Sequence, residues 1–405
     1  MTHAGSFFIG LGFLAVVLLD AFQTIILPRR PAGRLRITRL FFLTTWMPWR
    51  TAAGLLRSVK TRDQVYSIYG PLSLLLLIVI WAVLLVFAFG LIYYGLGTPF
   101  HGIAAPQESD LGRLRDCLYA SGTTLFTLGL GDLTPASQQA RVLVVAEAGV
   151  GLGFVALVIG YVPLLYGTFS RREVAVALLD SRAGSPPTAG ELLLRHGFDG
   201  GHKALTALLA EWERWSAEML ESHISYPILC YYRSQHDNQS WLSAITSILD
   251  ACALLITTIE GPSTRQAQLT FAMARHTLVD LGHVLHREGE EKRLRESPPQ
   301  RLSDAEFGKL CESLASSGLS ICGSPDTRAR LAAIRLLYEP HAEALSRYLC
   351  MDLPLWVPPP RDPSRKPDQW TTVSNLRTPL TALSEQHIST QSSASRLHDN
   401  VSHPL

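Results

Sequence analysis

The stretch "YASGTTLFTLGLGDLTP", Tyr119 to Pro135, decides how this chain is read. It sets small and hydroxyl-bearing residues ahead of Gly-Leu-Gly-Asp, and long apolar runs stand on both sides of it. Crossing the hydrocarbon layer of a bilayer takes about 20 apolar residues as a helix. Three segments meet that length: Ser6 to Leu27, Gly70 to Gly97 and Ala140 to Tyr166. The quoted stretch falls between the second and the third, so it begins and ends on one face of the membrane. Irregular backbone can dip into a bilayer only where protein or a water-filled cavity satisfies its polar groups.

Composition agrees with a chain that lives partly in lipid. Its 405 residues leave room for two or three domains, and the mean hydropathy of +0.16 is high for a soluble protein of that size. The net charge of +2 is too small, and the basic residues too scattered, to suggest a nucleic-acid surface. Cys117, Cys230, Cys252, Cys311, Cys322 and Cys350 form no CxxC pair and no finger spacing, and read as reduced thiols. The first apolar run lacks the basic start and small-residue cleavage site of a signal peptide, and "PRRP" follows it, as expected of a retained span. Between the first two spans, Arg29, Arg30, Arg34, Arg36, Arg39, Arg50, Arg57, Lys60 and Arg62 face the single acid Asp63, which predicts a cytoplasmic loop. Arg171 and Arg172 after the third span agree. The expected orientation is N-terminus outside and C-terminus cytoplasmic. Within the loop, "RLRITRLFFLTTWMPWR" has the Arg and aromatic mixture of an interfacial helix on the inner leaflet.

From about Ser170 the pattern is helical and punctuated by Pro, Ser and Gly, with no strand signal of any length. It predicts an all-α cytosolic domain. Trp241 to Ile259 is its apolar centre; Asp250 and Glu260 mark it as a buried core helix rather than a fourth span. "PPPRDPSRKPDQW" and the Ser/Thr/Gln-rich end read as a disordered tail. The expected divisions are 1–69, an N-terminal span with its basic segment; 70–169, a pore unit; 170–357, the helical domain; and 358–405, the tail.

A potassium filter needs successive backbone carbonyls to replace the ion's water shell, and alternate glycines allow backbone conformations closed to residues with a Cβ. "TLGLGDLTP", Thr127 to Pro135, resembles the pore loop of potassium channels with a single pore loop per subunit, whose pattern is T-x-G-x-G-D, a hydrophobic residue, Thr and Pro. The resemblance extends to an outer helix, Gly70 to Gly97, a short pore helix containing Thr123 and Thr124, and an inner helix, Ala140 to Tyr166. It implies that carbonyls of Thr127, Leu128, Gly129, Leu130 and Gly131 bind potassium ions and that Asp132 holds cations at the outer mouth. It implies a gating glycine at Gly151, twenty residues beyond Gly131, with Gly149 and Gly153 beside it. Leu130 departs from the family, which mostly has Tyr there, and removes a hydroxyl that could brace the filter. One pore loop per chain implies a homotetramer, since a ring of carbonyls needs four.

Other candidates carry less. Glu147, an ionisable group within a span, should face protein, with Thr123 or Thr124 as partners. Asp20 near the end of the first span is expected to pair with an Arg of the basic loop. Gly151 to Ala156 matches the weak dinucleotide pattern GxGxxA, but no strand precedes it. His276, Asp280 and His283 share one helix face at i, i+4 and i+7, a spacing open to a divalent metal but more usual for packing or a wet surface. "ESHISYPILCYYRSQHDNQSW", with His223, Pro227, Arg233 and His236, reads either as a tight helix connection, the favoured reading, or as a ligand or partner surface. No regular Arg series of a voltage sensor is present.

The sequence thus predicts an all-α, multi-pass membrane protein of the plasma membrane, or of the inner membrane in a bacterium. Its partners would be lipid, potassium ions, three further copies of itself and an unidentified cytosolic ligand, with no cofactor and no catalysis. Two rivals stand beside potassium conduction: a weakly selective cation channel, suggested by Leu130, and a membrane-anchored signalling or scaffold protein whose pore is idle.

Overall fold

A computed structural model describes residues 2–27, 36–97, 99–102, 110–198, 200–235, 238–322 and 325–357. Arg29, Arg30, Arg34, His236 and the tail from Pro358 lie outside the described residues. The chain is an all-α membrane protein with a helical domain, and among the described residues three helices are long and apolar enough to cross a bilayer. These are α1 (Thr2–Ile25), α3 (Val59–Gly95) and α5 (Gln138–Ala183); α2 (Ile37–Gly54) and α4 (Asp110–Leu125) lie between them in sequence.

The three long helices are not alike. α1 lies against α3 with glycine at the points of closest approach: a Cβ on Gly10 would stand 2.8 Å from the Ala88 carbonyl oxygen, and one on Gly95 2.5 Å from the Phe7 nitrogen. At a 1.5 Å rise, the 37 residues of α3 extend about 55 Å and the 46 of α5 about 69 Å, well beyond the ~30 Å of a hydrocarbon layer. Both therefore run past their apolar parts. Ser58 caps α3 twelve residues before Gly70 and Ser137 caps α5, each side chain accepting a backbone N–H of the first turn. Helix α5 continues unbroken past Ser170, where the change in composition had suggested a boundary. It stops only at Gly184, whose φ of 85° leaves the helical region.

The segment expected to lie flat on the leaflet is α2, and its two faces differ. Leu40, Leu43 and Met47 are exposed. Trp46 instead turns into the helical domain, where its Nε1 donates to the Tyr348 carbonyl at 3.1 Å. Tyr66 and Tyr69 of α3, with Tyr231 and Tyr348, surround it. An aromatic cluster thus ties the first two helices after α1 to the C-terminal domain.

That domain comprises α6 (Ala189–Arg195), α7 (Gly201–Ser225), α8 (Trp241–Thr257), α9 (Thr264–Val284), α10 (Glu288–Glu296), α11 (Asp304–Ser316), α12 (Pro325–Arg335) and α13 (Glu339–Leu349). A 3-10 turn, Pro227–Tyr231, joins α7 towards α8. Helix α8 is buried nearly throughout and forms the centre, as its apolar sequence predicts. Asp250 survives there because Arg301 reaches both of its oxygens, at 3.2 and 2.8 Å, and the Tyr338 hydroxyl also donates to it. Burial alone would lower the Arg301 pKa, but Asp250 with Tyr338 and Glu339 outweighs it and holds the guanidinium charged. Thr270 and Thr277 of α9 donate to the Leu209 and Ser216 carbonyls of α7, locking those two helices side by side. All six cysteines are free thiols.

Candidate ion pathway

Helix α4 is short and wedged between α3 and α5. Gly90 of α3 leaves room for Leu118, since a Cβ there would lie 2.6 Å from the Leu118 side chain. Gly151 does the same on the α5 side: its Cβ would stand 2.0 Å from the Leu125 carbonyl oxygen at the end of α4. Gly149 and Gly153 face open space. The middle glycine therefore has a packing reason to be there, and α5 is a continuous helix through it.

After Leu125 the chain leaves helical geometry in a regular way. Thr127, Gly129 and Gly131 have φ of 56°, 54° and 80°, whereas Leu128 and Leu130 between them stay on the negative side. Only glycine takes such φ values without cost. Thr127 takes one as a β-branched residue, a conformation that costs about 1–3 kcal/mol and concentrates at functional sites. Leu128 and Leu130 are 61% and 65% exposed in the single chain. The short strand β1 (Phe100–His101) pairs with β2 (Thr134–Pro135) and closes the loop above.

Asp132 is held from two directions. Its Oδ2 accepts from the Tyr119 hydroxyl at 2.7 Å, and its Oδ1 accepts from the Leu133 amide at 3.1 Å. Behind it Gly102, with φ 95°, is pressed so close that a Cβ would stand 2.2 Å from the Asp132 carbonyl oxygen. Tyr119 and Gly102 were not singled out from the sequence. Tyr119 stands in the quoted stretch itself, but a contact with a residue thirteen positions later follows no helical period.

Glu147 is fully buried, and its partners differ from those expected. Tyr93 of α3 donates to it at 2.6 Å, and Ser121 of α4 donates to its other oxygen. The Thr123 and Thr124 hydroxyls instead donate back to the Ala120 carbonyl, at 2.9 and 2.8 Å, one helical turn away. Glu147 thus pins three helices at one point. Asp20, also buried, accepts from Trp81 Nε1 at 3.0 Å and the Thr38 hydroxyl at 2.7 Å, with Arg36 Nε 3.7 Å away. It anchors α1 to α2 and α3, the structural role its sequence position predicts.

Where α5 passes into the helical domain, Arg172 is buried and grips the connection after α7. It donates to the Leu229 carbonyl at 2.9 Å and to that of Tyr232 at 2.8 Å. The turn Pro227–Tyr231 is thus packed, with Ile228 and Leu229 set against Leu74, Tyr161 and Leu165 of the long helices. His276 and His283 lie 3.6 and 3.9 Å from Asp280. Among the described residues no group of three His, Cys, Asp or Glu side chains is arranged to hold a metal ion.

The fold and this loop define a membrane protein in which a short helix and a non-helical loop stand between two long apolar helices. Residues 81–163 match the family described as "Ion channel", a span that opens in α3 and takes in α4, the loop and most of α5. The chain is also similar to an uncharacterized membrane protein, YdjJ, of Bacillus subtilis (strain 168), at 25% identity over 254 residues, which are 62% of this chain and 70% of that one. No solved structure matches.

Proposed function

We propose that the protein is a potassium-selective channel in which four copies of the chain surround one pore. The observation that carries this reading is the alternation of backbone handedness at Thr127, Gly129 and Gly131, which favours a file of carbonyls facing one way. One chain supplies one such file, and dehydrated potassium needs a ring of them. The exposed apolar Leu128, Leu130, Val142 and Val145 support burial against further copies or lipid. Asp132, braced by Tyr119, would present a carboxylate at the mouth, and its brace takes the part that Leu130 leaves unfilled. The pore would lie in the plasma membrane with the N-terminus outside, since the basic residues between α1 and α3 favour the cytoplasmic side. Gating would travel along α5, whose far end is held by the helical domain through Arg172. Conduction would be passive, without catalysis.

Purified full-length protein in liposomes tests this. A potassium gradient, with sodium as the competing ion, should drive selective flux that ceases when the carbonyl file is disrupted. Unselective flux would instead favour a general cation channel, and no flux from folded protein would favour the scaffold reading.

A further inference from the structure

A second site lies away from the Thr127–Asp132 stretch. A cleft of about 140 Å³ opens where the last turn of α1 and the first turns of α2 meet α3, α5 and the helical domain. Its charge is one-sided: Arg36, Arg39 and His286 line it, and no acidic residue does. The adjacent carboxylate, Asp20, is already engaged by Trp81 and Thr38. Arg36 reaches Thr24 at 2.9 Å as well as lying near Asp20. Arg39 has neither a hydrogen-bond nor an ion-pair partner among the described residues, and its Nε is buried. Burial, and then the charge of Arg39, lower the pKa of His286 at the rim, the expected response to a cationic site. A shielded guanidinium without an anion is costly, so the cleft favours a negative occupant.

The rest of the wall is apolar and includes Leu43, Leu77 and Tyr161. A small soluble anion gains nothing from such a wall, whereas an alkyl chain does. The depth also fits, because Gln23 and Thr24 stand in the last turn of α1, the level at which a span of this length leaves the hydrocarbon layer. Tyr231 and Tyr348 line the same cleft from the domain side. From this combination of charge, apolar wall and depth we infer that the cleft binds an anionic phospholipid, its phosphate between Arg36 and Arg39 and its chain along Leu43, Leu77 and Tyr161. Such an occupant would bridge the membrane helices and the helical domain. The inference concerns binding alone and stands whether or not the chain conducts ions.

The test uses the delipidated full-length chain in neutral detergent, with thermal stability measured during titration by phosphatidylglycerol, phosphatidylcholine or glycerol phosphate. Phosphatidylglycerol should raise Tm where the other two do not. Arg39→Gln should weaken its apparent Kd about tenfold, the effect of losing one charge-assisted contact, without lowering the lipid-free Tm, because no partner is lost and an unpaired buried charge is removed. Leu43→Trp narrows the chain-binding wall without touching either arginine, and should weaken phosphatidylglycerol in the same assay even if Arg39→Gln fails to purify. Equal stabilisation by phosphatidylcholine would overturn the proposal. So would glycerol phosphate binding as tightly as the lipid, which would point to a soluble anion, or an unchanged Kd in both variants.

Discussion

Nη1 of Arg172 lies 3.3 Å from Nε2 of His223, deep between α5 and α7. His223 Nδ1 faces the Met219 carbonyl at 3.0 Å, which fixes the tautomer: Nδ1 donates, and Nε2 is left to accept from the guanidinium. The helix that lines the proposed pore is therefore held by the helical domain through an imidazole that must remain neutral. A proton on Nε2 would remove the acceptor and set two cations against each other.

Acid should loosen this joint. Burial first, and Arg172 second, push the His223 pKa well below its ordinary value of 6.5. The folded pKa lies below the unfolded one, so as pH falls below 6.5 the unfolded chain takes up a proton that the folded chain refuses, and stability present above that pH is lost. Glu173, which pairs with Arg172 at 2.9 Å, is the acid next to the joint. His223→Gln keeps an acceptor for Arg172 but cannot titrate. Thermal melts of detergent-solubilised protein between pH 7.5 and 5 should show a shallower loss in the variant. Parallel curves would show that His223 does not contribute to the acid response.

Glu147 should matter for assembly more than for ion selectivity. Glu147→Val would leave the Tyr93 and Ser121 hydroxyls without their acceptor, at about 1–3 kcal/mol for each buried group left unpaired. Glu147→Gln keeps an acceptor oxygen and should cost less than half as much. Ser121 also reaches the Val86 carbonyl at 3.0 Å, so it has a fallback that Tyr93 is not seen to have. Tyr93→Phe in turn leaves the buried Oε2 of Glu147 without its donor, so it too should lower stability. Detergent melting temperatures in the order wild type, Glu147→Gln, Glu147→Val check the assignment; a Val variant as stable as wild type would contradict it.

Three glycines in α5 should respond differently to one added methyl group. Gly151→Ala places a Cβ 2.0 Å from the Leu125 carbonyl oxygen, so α4 or α5 must move, at about 1–3 kcal/mol or more for overpacking. Gly149→Ala and Gly153→Ala meet nothing within 4 Å and should gain slightly, since Ala is the better helix former by about 1 kcal/mol. Urea or thermal denaturation of the three variants separates packing from hinge roles. Loss of stability at Gly149 or Gly153 comparable to that at Gly151 would mean that those positions are buried in the assembled protein.

Much of the fold was legible because lipid imposes a length and a composition on each span: α5 contains its expected segment, and α1 and α3 cover all but the last two residues of theirs. The Gly-Leu-Gly-Asp stretch was legible for a similar reason, as an unusual backbone requires an unusual residue. What escaped were pairings across helices. Tyr93 and Ser121 lie 54 and 26 positions from Glu147, and no local spacing selects them over Thr123 and Thr124. The continuation of α5 to Ala183 was hidden because hydropathy drops where the helix leaves its apolar surroundings, although the backbone has no reason to stop there. Trp46 looked interfacial for the same reason: an aromatic among arginines suits a bilayer surface and the edge of a protein domain equally well.

The sharpest expectation concerns Gly129 and Gly131. Both have open space where a Cβ would go, so the obstacle to Ala is conformational rather than steric crowding: φ values of 54° and 80° cost a residue with a side chain about 1–2 kcal/mol at each site. That is small against the stability of the protein but large for the alignment of a carbonyl, because the cheapest relief is to rotate the peptide and turn its oxygen away from its neighbours. Gly129→Ala and Gly131→Ala should therefore melt within a few degrees of wild type yet lose selective potassium current. Leu130→Tyr changes a side chain that is exposed in the single chain and leaves the φ alternation alone. It should keep current, with potassium preference at least as high as before. Reversal potentials under bi-ionic potassium and sodium decide the matter. Potassium-selective current that survives Gly129→Ala would mean the ion does not pass along these carbonyls, and the channel mechanism proposed for this loop would have to be given up.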